Sequence, residues 1–175
     1  MHACSYPDPD SFPFGLMRLG TATGRISKIT PQQAQFMYTM WSITQSVFVL
    51  GGDLTYMPSY LSSLYSNPDL RDVHQHGTAA RVIVYNSSVV VWRSDHRTQP
   101  GVVYLGVFAY DPVGSATWAA NYTFTYASVG ASKSAVQMDV YCTVMRRSVG
   151  TWRRGEVWVV QTSANTGIVL RLSPF

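Results

Sequence analysis

The apolar positions change their period near residue 77. Before it they recur at helical spacing between loops. After it they come in short runs and alternations cut by turn residues. The clearest helix signal is PQQAQFMYTMWSITQ, residues 31–45. Thr30 offers an N-cap oxygen, and Pro31 suits the first helical position, where its missing N–H costs nothing. Phe36, Met40, Ile43 and Val47 recur at helical spacing, and Met37 and Trp41 widen the stripe, so one buried face is expected. SVFVLGG, 46–52, is short, continuous and β-branched, which predicts a strand buried on both faces. PSYLSSLYS (58–66) and NPDLRDVHQ (67–75) predict two short helices, the second capped by Asn67 with Pro68 behind it. Helix, buried strand, helix is one unit of an α/β protein, and a parallel strand needs neighbours on both edges. Residues 1–76 therefore read as an incomplete layer.

From Gly77 the pattern predicts seven strands: ARVIVYN, SVVVWRS, VVYLGVFAY, YTFTYAS, VQMDVYCTVM, EVWVVQT and GIVLRLS. Several alternate, and Asn86-Ser, Gln99-Pro-Gly, Asp111-Pro, Gly130, Gly150 and Asn165-Thr-Gly punctuate them. That is the pattern of an antiparallel β-sandwich over 77–175. RRSVGTWRR, with Arg146, Arg147, Arg153 and Arg154, reads as a solvated hairpin turn.

Composition narrows the class. Charged residues make up 13% of the chain, Glu156 is the single glutamate, and aromatics reach 13%. Few charges with many β-branched and aromatic residues suggest a β-rich protein of the secreted type. Residues 1–76 carry four basic and five acidic side chains, 4 − 5 = −1, and 77–175 carry nine and four, 9 − 4 = +5. Apart from the RRSVGTWRR group the arginines are scattered, with no basic helix and no nucleic-acid motif, so nucleic acid is not an expected partner. The longest apolar run is far too short to span a membrane. No signal peptide is expected in the polar first residues. Cys4 and Cys142 fit no metal spacing, and His74 and His76 read as polar-loop residues. No metal and no cofactor are expected. Asn86-Ser-Ser and Asn121-Tyr-Thr are glycosylation triplets of the kind that also occur by chance.

One stretch carries candidate chemistry. SYPDPDSFPFG, 5–15, places Asp8 and Asp10 around a proline that fixes its own φ and extends its predecessor. In extended backbone, positions i and i+2 point the same way, so two acids would share one side. The plainer reading is a turn, because Pro and Asp are turn residues.

YPDPDSFPFG, then GRISKITPQQAQFMYTMWSITQSVFVLGGDL, then LRDVHQ, then a terminal TGIVLRLSP occur in this order. Together they resemble the C-terminal part of the α-galactosidase (melibiase) family of retaining glycoside hydrolases, family twenty-seven. The resemblance covers nearly the whole chain and is strongest over 6–76. It implies a mixed fold: the last βα units of a (β/α)8 TIM barrel, residues 1–76, followed by an antiparallel β-sandwich domain, 77–175. It implies that the acidic loop lies at the top of the barrel and that Asp10 binds the sugar, with Asp8 beside it. SVFVLGG would be the eighth barrel strand, and the chain would begin inside an active-site loop with most of the barrel absent. Both catalytic Asp residues of the family lie upstream of this loop, so no catalytic residue is expected here, and the chain by itself is expected to be inactive. Two positions depart from the family: Ser11 stands where it has Met, and Tyr6 where its loop Trp stands.

The resemblance implies an α-galactoside or related sugar as partner once the barrel is completed, association through the exposed barrel remnant, and a secreted or lysosomal setting for a full-length relative. The alternative is a non-catalytic sandwich that binds carbohydrate or another protein. It would show exposed aromatics among Trp92, Tyr104, Trp118, Tyr122, Tyr126, Trp152 and Trp158. An unrelated basic β-protein binding nucleic acid has little support from the charge distribution.

Overall fold

The structure is a computed structural model that describes residues 10–17, 24–111, 119–131 and 134–175. Two short strands, β1 (Ser11–Phe12) and β2 (Leu16–Met17), lead to β3 (Arg25–Ile26) and helix α1 (Pro31–Thr44). Strand β4 (Val49–Leu50) and helices α2 (Ser59–Tyr65) and α3 (Pro68–His76) follow. The remainder is β: β5 (Gly77–Tyr85), β6 (Val89–His96), β7 (Val103–Ala109), β8 (Ala119–Phe124), β9 (Gln137–Cys142), β10 (Arg147–Arg153), β11 (Trp158–Ser163) and β12 (Thr166–Pro174).

Six strands form one antiparallel sheet in the order β10-β9-β12-β7-β6-β5, and β8 pairs with β11 in a second, two-stranded sheet. The expected antiparallel sandwich is present, with one more strand than the pattern predicted. Arg147–Arg153, read as a turn, is β10 paired with β9. The arginines hid it, but Trp152 between them is buried and belongs to the core between the sheets. The β7 run VYLGVFA is buried along its whole length because it has layers on both sides. Val103, Leu105 and Val107 face the core beneath the second sheet, whereas Tyr104 and Phe108 face a second core on the opposite side.

That second core joins both halves of the chain. Phe12, Tyr38, Trp41, Ile43, Leu61, Leu70 and Val73 pack with Tyr104, Phe108 and Val169 of the sheet. No linker separates them: α3 ends at His76 and β5 starts at Gly77. The Gln45 side chain donates to the Gly77 carbonyl and ties the end of α1 to the same point.

Helix α1 starts as its sequence predicts, with a capping box in which Thr30 Oγ1 accepts from Gln33 N–H and Gln33 Oε1 accepts from Thr30 N–H. Its burial departs from the single stripe. Ala34, Tyr38, Thr39 and the whole of 41–44 are buried, because the helix lies between the sheet and the segment carrying β1, β4, α2 and α3. Thr39, Ser42 and Thr44 tolerate burial by returning their hydroxyls to the carbonyls four residues earlier, at 2.7, 2.8 and 2.9 Å. Replacing Thr30 by alanine is expected to cost about 1 kcal/mol, typical of a lost N-cap; urea unfolding of the variant checks it, and an unchanged midpoint would show the box to be dispensable.

The 46–52 strand is a correction. Only Val49–Leu50 pair, in parallel with β1, and Val47, Val49 and Leu50 are 57, 48 and 39% exposed rather than buried on two faces. A continuous apolar run is buried on both sides only where further strands flank it, and among the described residues β1 is its sole strand partner. His74 and His76 likewise lie in the last turn of α3, not in a loop.

Candidate functional site

Asp10 is the described member of the predicted pair; Asp8 lies outside the described residues. Asp10 is exposed and left-handed, with φ 71°, so it is not in the extended backbone that would align it with Asp8. It immediately precedes β1, whose first residue Ser11 pairs with Val49. Asp53 stands past the far end of β4, where its Oδ1 accepts from the backbone N–H and hydroxyl of Thr55 at 2.9 and 2.6 Å. Asp10 thus precedes the start of the parallel β1–β4 pair and Asp53 follows its end.

Beside β4 an open groove of about 680 Å³ is lined by Tyr38, Phe48, Leu50, Tyr65, Arg71 and His74 among others. Phe48 stacks on Tyr38 with ring centres 4.8 Å apart, and His74 donates through Nε2 to the Ser46 carbonyl at 2.8 Å. Burial, reinforced by Tyr38 and Tyr60, pushes the Tyr65 hydroxyl up to about 12, so it stays a neutral donor. The groove offers aromatic faces, a cation and neutral hydrogen-bonding groups, which suits a polar ring compound. Asp10 is not among its lining residues.

The acids of α3 are turned to the sheet. Asp69 Oδ2 accepts from the Tyr141 hydroxyl at 2.9 Å and from Arg146 Nε at 3.3 Å. Asp72 accepts from His76 Nδ1 at 2.8 Å and from the Tyr104 hydroxyl at 2.5 Å. Burial and that bond to Asp72 hold Tyr104 far above the usual phenol range. Burial lowers His96, against the pull of Asp72. Asp72, His76 and His96 were not joined by any sequence motif; only the i, i+4 spacing of Asp72 and His76 was there to find. Cys142 is buried in the core between the two sheets, and Cys4 lies outside the described residues. Tyr104, Tyr126 and Trp152 are buried, Trp92, Tyr122 and Trp158 are half-buried, and Trp118 is outside the described residues. The six described candidates therefore present no exposed aromatic platform.

No protein-family model and no curated protein matches the chain. Solved structures do. A protein from Bacillus halodurans C-125 assigned as an α-N-acetylgalactosaminidase matches over 98% of this chain and 40% of its own, with a TM-score of 0.85 and 20% identity. A family-27 β-L-arabinopyranosidase from Geobacillus stearothermophilus matches over 97% of this chain and 37% of its own, with a TM-score of 0.82 and 22% identity. The fold is that of the C-terminal part of a family-27 glycoside hydrolase. The α-galactosidase of Saccharomyces cerevisiae, solved with raffinose, matches over 86% of this chain and 45% of its own at 13% identity and a TM-score of 0.72. The arabinopyranosidase has also been solved in complex with arabinose. This chain spans less than half the length of these family-27 structures. At such identities the likeness is one of fold.

Proposed function

We propose that this chain forms the C-terminal part of a retaining glycosidase that hydrolyses terminal α-linked galactose-type sugars. Residues 1–76 would complete the catalytic barrel, and 77–175 would form the sandwich domain that braces it. One observation supports the reading: nearly the whole chain, on both sides of residue 76, matches family-27 enzymes, over 98 and 97% of its length with TM-scores of 0.85 and 0.82. Retention needs two carboxyl groups about 5–5.5 Å apart on opposite sides of the sugar. Asp10 and Asp53 stand at opposite ends of the β1–β4 pair, and Asp69 and Asp72 are engaged by the sheet. The nucleophile and the acid/base would therefore come from barrel residues outside these 175, and this chain would contribute Asp10 and Asp8 to hold sugar hydroxyls.

The test is a chimera in which this chain replaces the matching C-terminal portion of a family-27 α-galactosidase. The isolated chain should not turn over a chromogenic α-galactoside, and the chimera should. Asp10→Asn in the chimera should weaken galactose inhibition by about tenfold or more, as expected for a hydrogen bond to a charged group, and Asp8→Asn should weaken it little. Turnover by the isolated chain, or a chimera that folds but is dead with its own two catalytic Asp residues in place, would overturn the reading.

A further inference from the structure

The junction of the two halves holds a cluster that the glycosidase reading does not use. His96 ends β6 and faces Asp72 and His76 of α3, and the ligand-type atoms of the three lie within 4.8 Å of one another. The His96 side chain is 2% exposed, and its Nε2 has no hydrogen-bond partner, standing 3.9 Å from Asp72 Oδ2. Two histidines and a carboxylate at such distances are a set that metal ions use.

The other ring nitrogen decides against a metal. Nδ1 of His96 faces the backbone N–H groups of Thr98 and Gln99, each at 3.2 Å. Two donors aimed at one nitrogen require a lone pair there, so the proton of the neutral ring sits on Nε2. A metal on Nε2 would need a lone pair on Nε2 itself and would drive the proton onto Nδ1, against both donors. Histidine ligands normally have an acceptor behind the second nitrogen, not a pair of donors.

The same geometry makes His96 sensitive to protons. We propose that Asp72, His76, His96 and Tyr104 form a proton-responsive joint between α3 and the turn linking β6 to β7, closed when His96 is neutral and released when it takes up a proton. A proton arriving from solvent can enter the ring only at Nδ1. It removes the acceptor of Thr98 and Gln99 and sets N–H against N–H, while the new cation is drawn to Asp72. Asp72 favours the charged ring; burial, His76 on α3 and Arg171 on β12 oppose it, and Tyr104 on β7 occupies Asp72 Oδ2. The turn is also fastened to α3 by Arg97 N–H donating to the His76 carbonyl at 2.7 Å, and Gly77 pairs with His96 across the strands. Loosening therefore acts where helix meets sheet. The sign follows from the lowered titration of folded His96. The stabilising contribution is complete above about pH 6.5, the ordinary histidine value, and declines as pH falls towards the folded midpoint. The joint stands or falls independently of the glycosidase reading.

The test uses the full, unmodified chain labelled with ¹⁵N. At about pH 7.5, above the ordinary histidine value, imidazole spectra should show His96 with a bare Nδ1 and a protonated Nε2. On acidification the protection factors of the Thr98 and Gln99 amides should fall about fivefold or more, the worth of a lost hydrogen bond, in step with His96 protonation. In His96→Asn, whose Oδ1 can stand where Nδ1 stood, they should stay constant. His76→Gln keeps the backbone carbonyl that Arg97 N–H bonds, so it should leave the response to His96 protonation in place. A proton on Nδ1 at neutral pH, protection that ignores His96 titration, or stoichiometric Zn²⁺ uptake abolished in His96→Asn would each overturn the proposal. The tautomer measurement needs no variant to fold.

Discussion

Phe108→Ala is expected to lower the unfolding free energy by about 3–5 kcal/mol, the range for truncating a fully buried phenylalanine. Phe108 is 0% exposed and lies at the contact between α1 and the six-stranded sheet, edge-on to Phe36 with ring centres 5.4 Å apart. The sequence makes room for its ring with glycines. A Cβ on Gly106 would approach Phe108 Cε2 to 2.7 Å, and one on Gly167 would approach Phe108 Cδ1 and Thr39 Oγ1 to 2.7 Å. Neither glycine could fill the cavity left by the alanine, and α1 is held to the sheet along its length, so little collapse is expected. Because this core is built from residues on both sides of residue 76, the loss should appear together in helix and sheet signals. Urea unfolding followed by both signals measures it. A midpoint shift worth less than about 1 kcal/mol, or a helix signal that melts alone, would show that the contact does not join the two halves.

Legibility in the sequence followed the reach of each signal. Local chemistry was plain: Thr30-Pro31 and Asn67-Pro68 start helices, and both caps form, Asn67 Oδ1 accepting from Asp69 and Leu70 N–H at 2.9 and 3.2 Å. The strands from residue 77 onward were plain because they are β-branched and bounded by turn residues. β10 was missed because arginines bracket it and its one deeply buried residue, Trp152, is outnumbered by exposed ones. α1 misled in the other direction. Single-stripe periodicity assumes one buried face, and its buried hydroxyls are satisfied by its own backbone, so Thr39, Ser42 and Thr44 looked like surface positions. The 46–52 run misled because apolar composition says what could be covered, not whether anything covers it. The His96 cluster was invisible for a different reason. Asp72, His96 and Tyr104 are brought together only by the packing of α3 on the sheet, and no spacing records that.

Gly52→Ala is expected to separate the parallel β1–β4 pair, at a cost of about 3 kcal/mol or more, the upper end of overpacking. The reason is backbone, not side chain. A Cβ at residue 52 would lie 2.0 Å from the Phe14 carbonyl oxygen, and no rotamer change can relieve a collision with a peptide group. The chain comes this close because the Phe12–Leu16 stretch wraps over the end of β4. Gly51 N–H donates to the Phe12 carbonyl at 2.9 Å, and Asp53 N–H donates to the Leu16 carbonyl at 2.6 Å, one on either side of Gly52. A side chain there must break one or both bonds, and with them the placement of Phe12. That residue is 0% exposed and stacks on Phe14 and Phe48 at 5.0 and 5.3 Å. The damage should stay on this side of α1, because β7 and β12 reach Gly52 only through the helix. In amide exchange, Gly51 and Asp53 should lose protection while Leu105 and Leu170 keep theirs. Unchanged protection at Gly51 and Asp53 would mean that the loop and β4 do not meet as closely as the structure places them. Equal loss at Leu105 would mean that the loop–β4 contact supports the whole fold rather than its own layer.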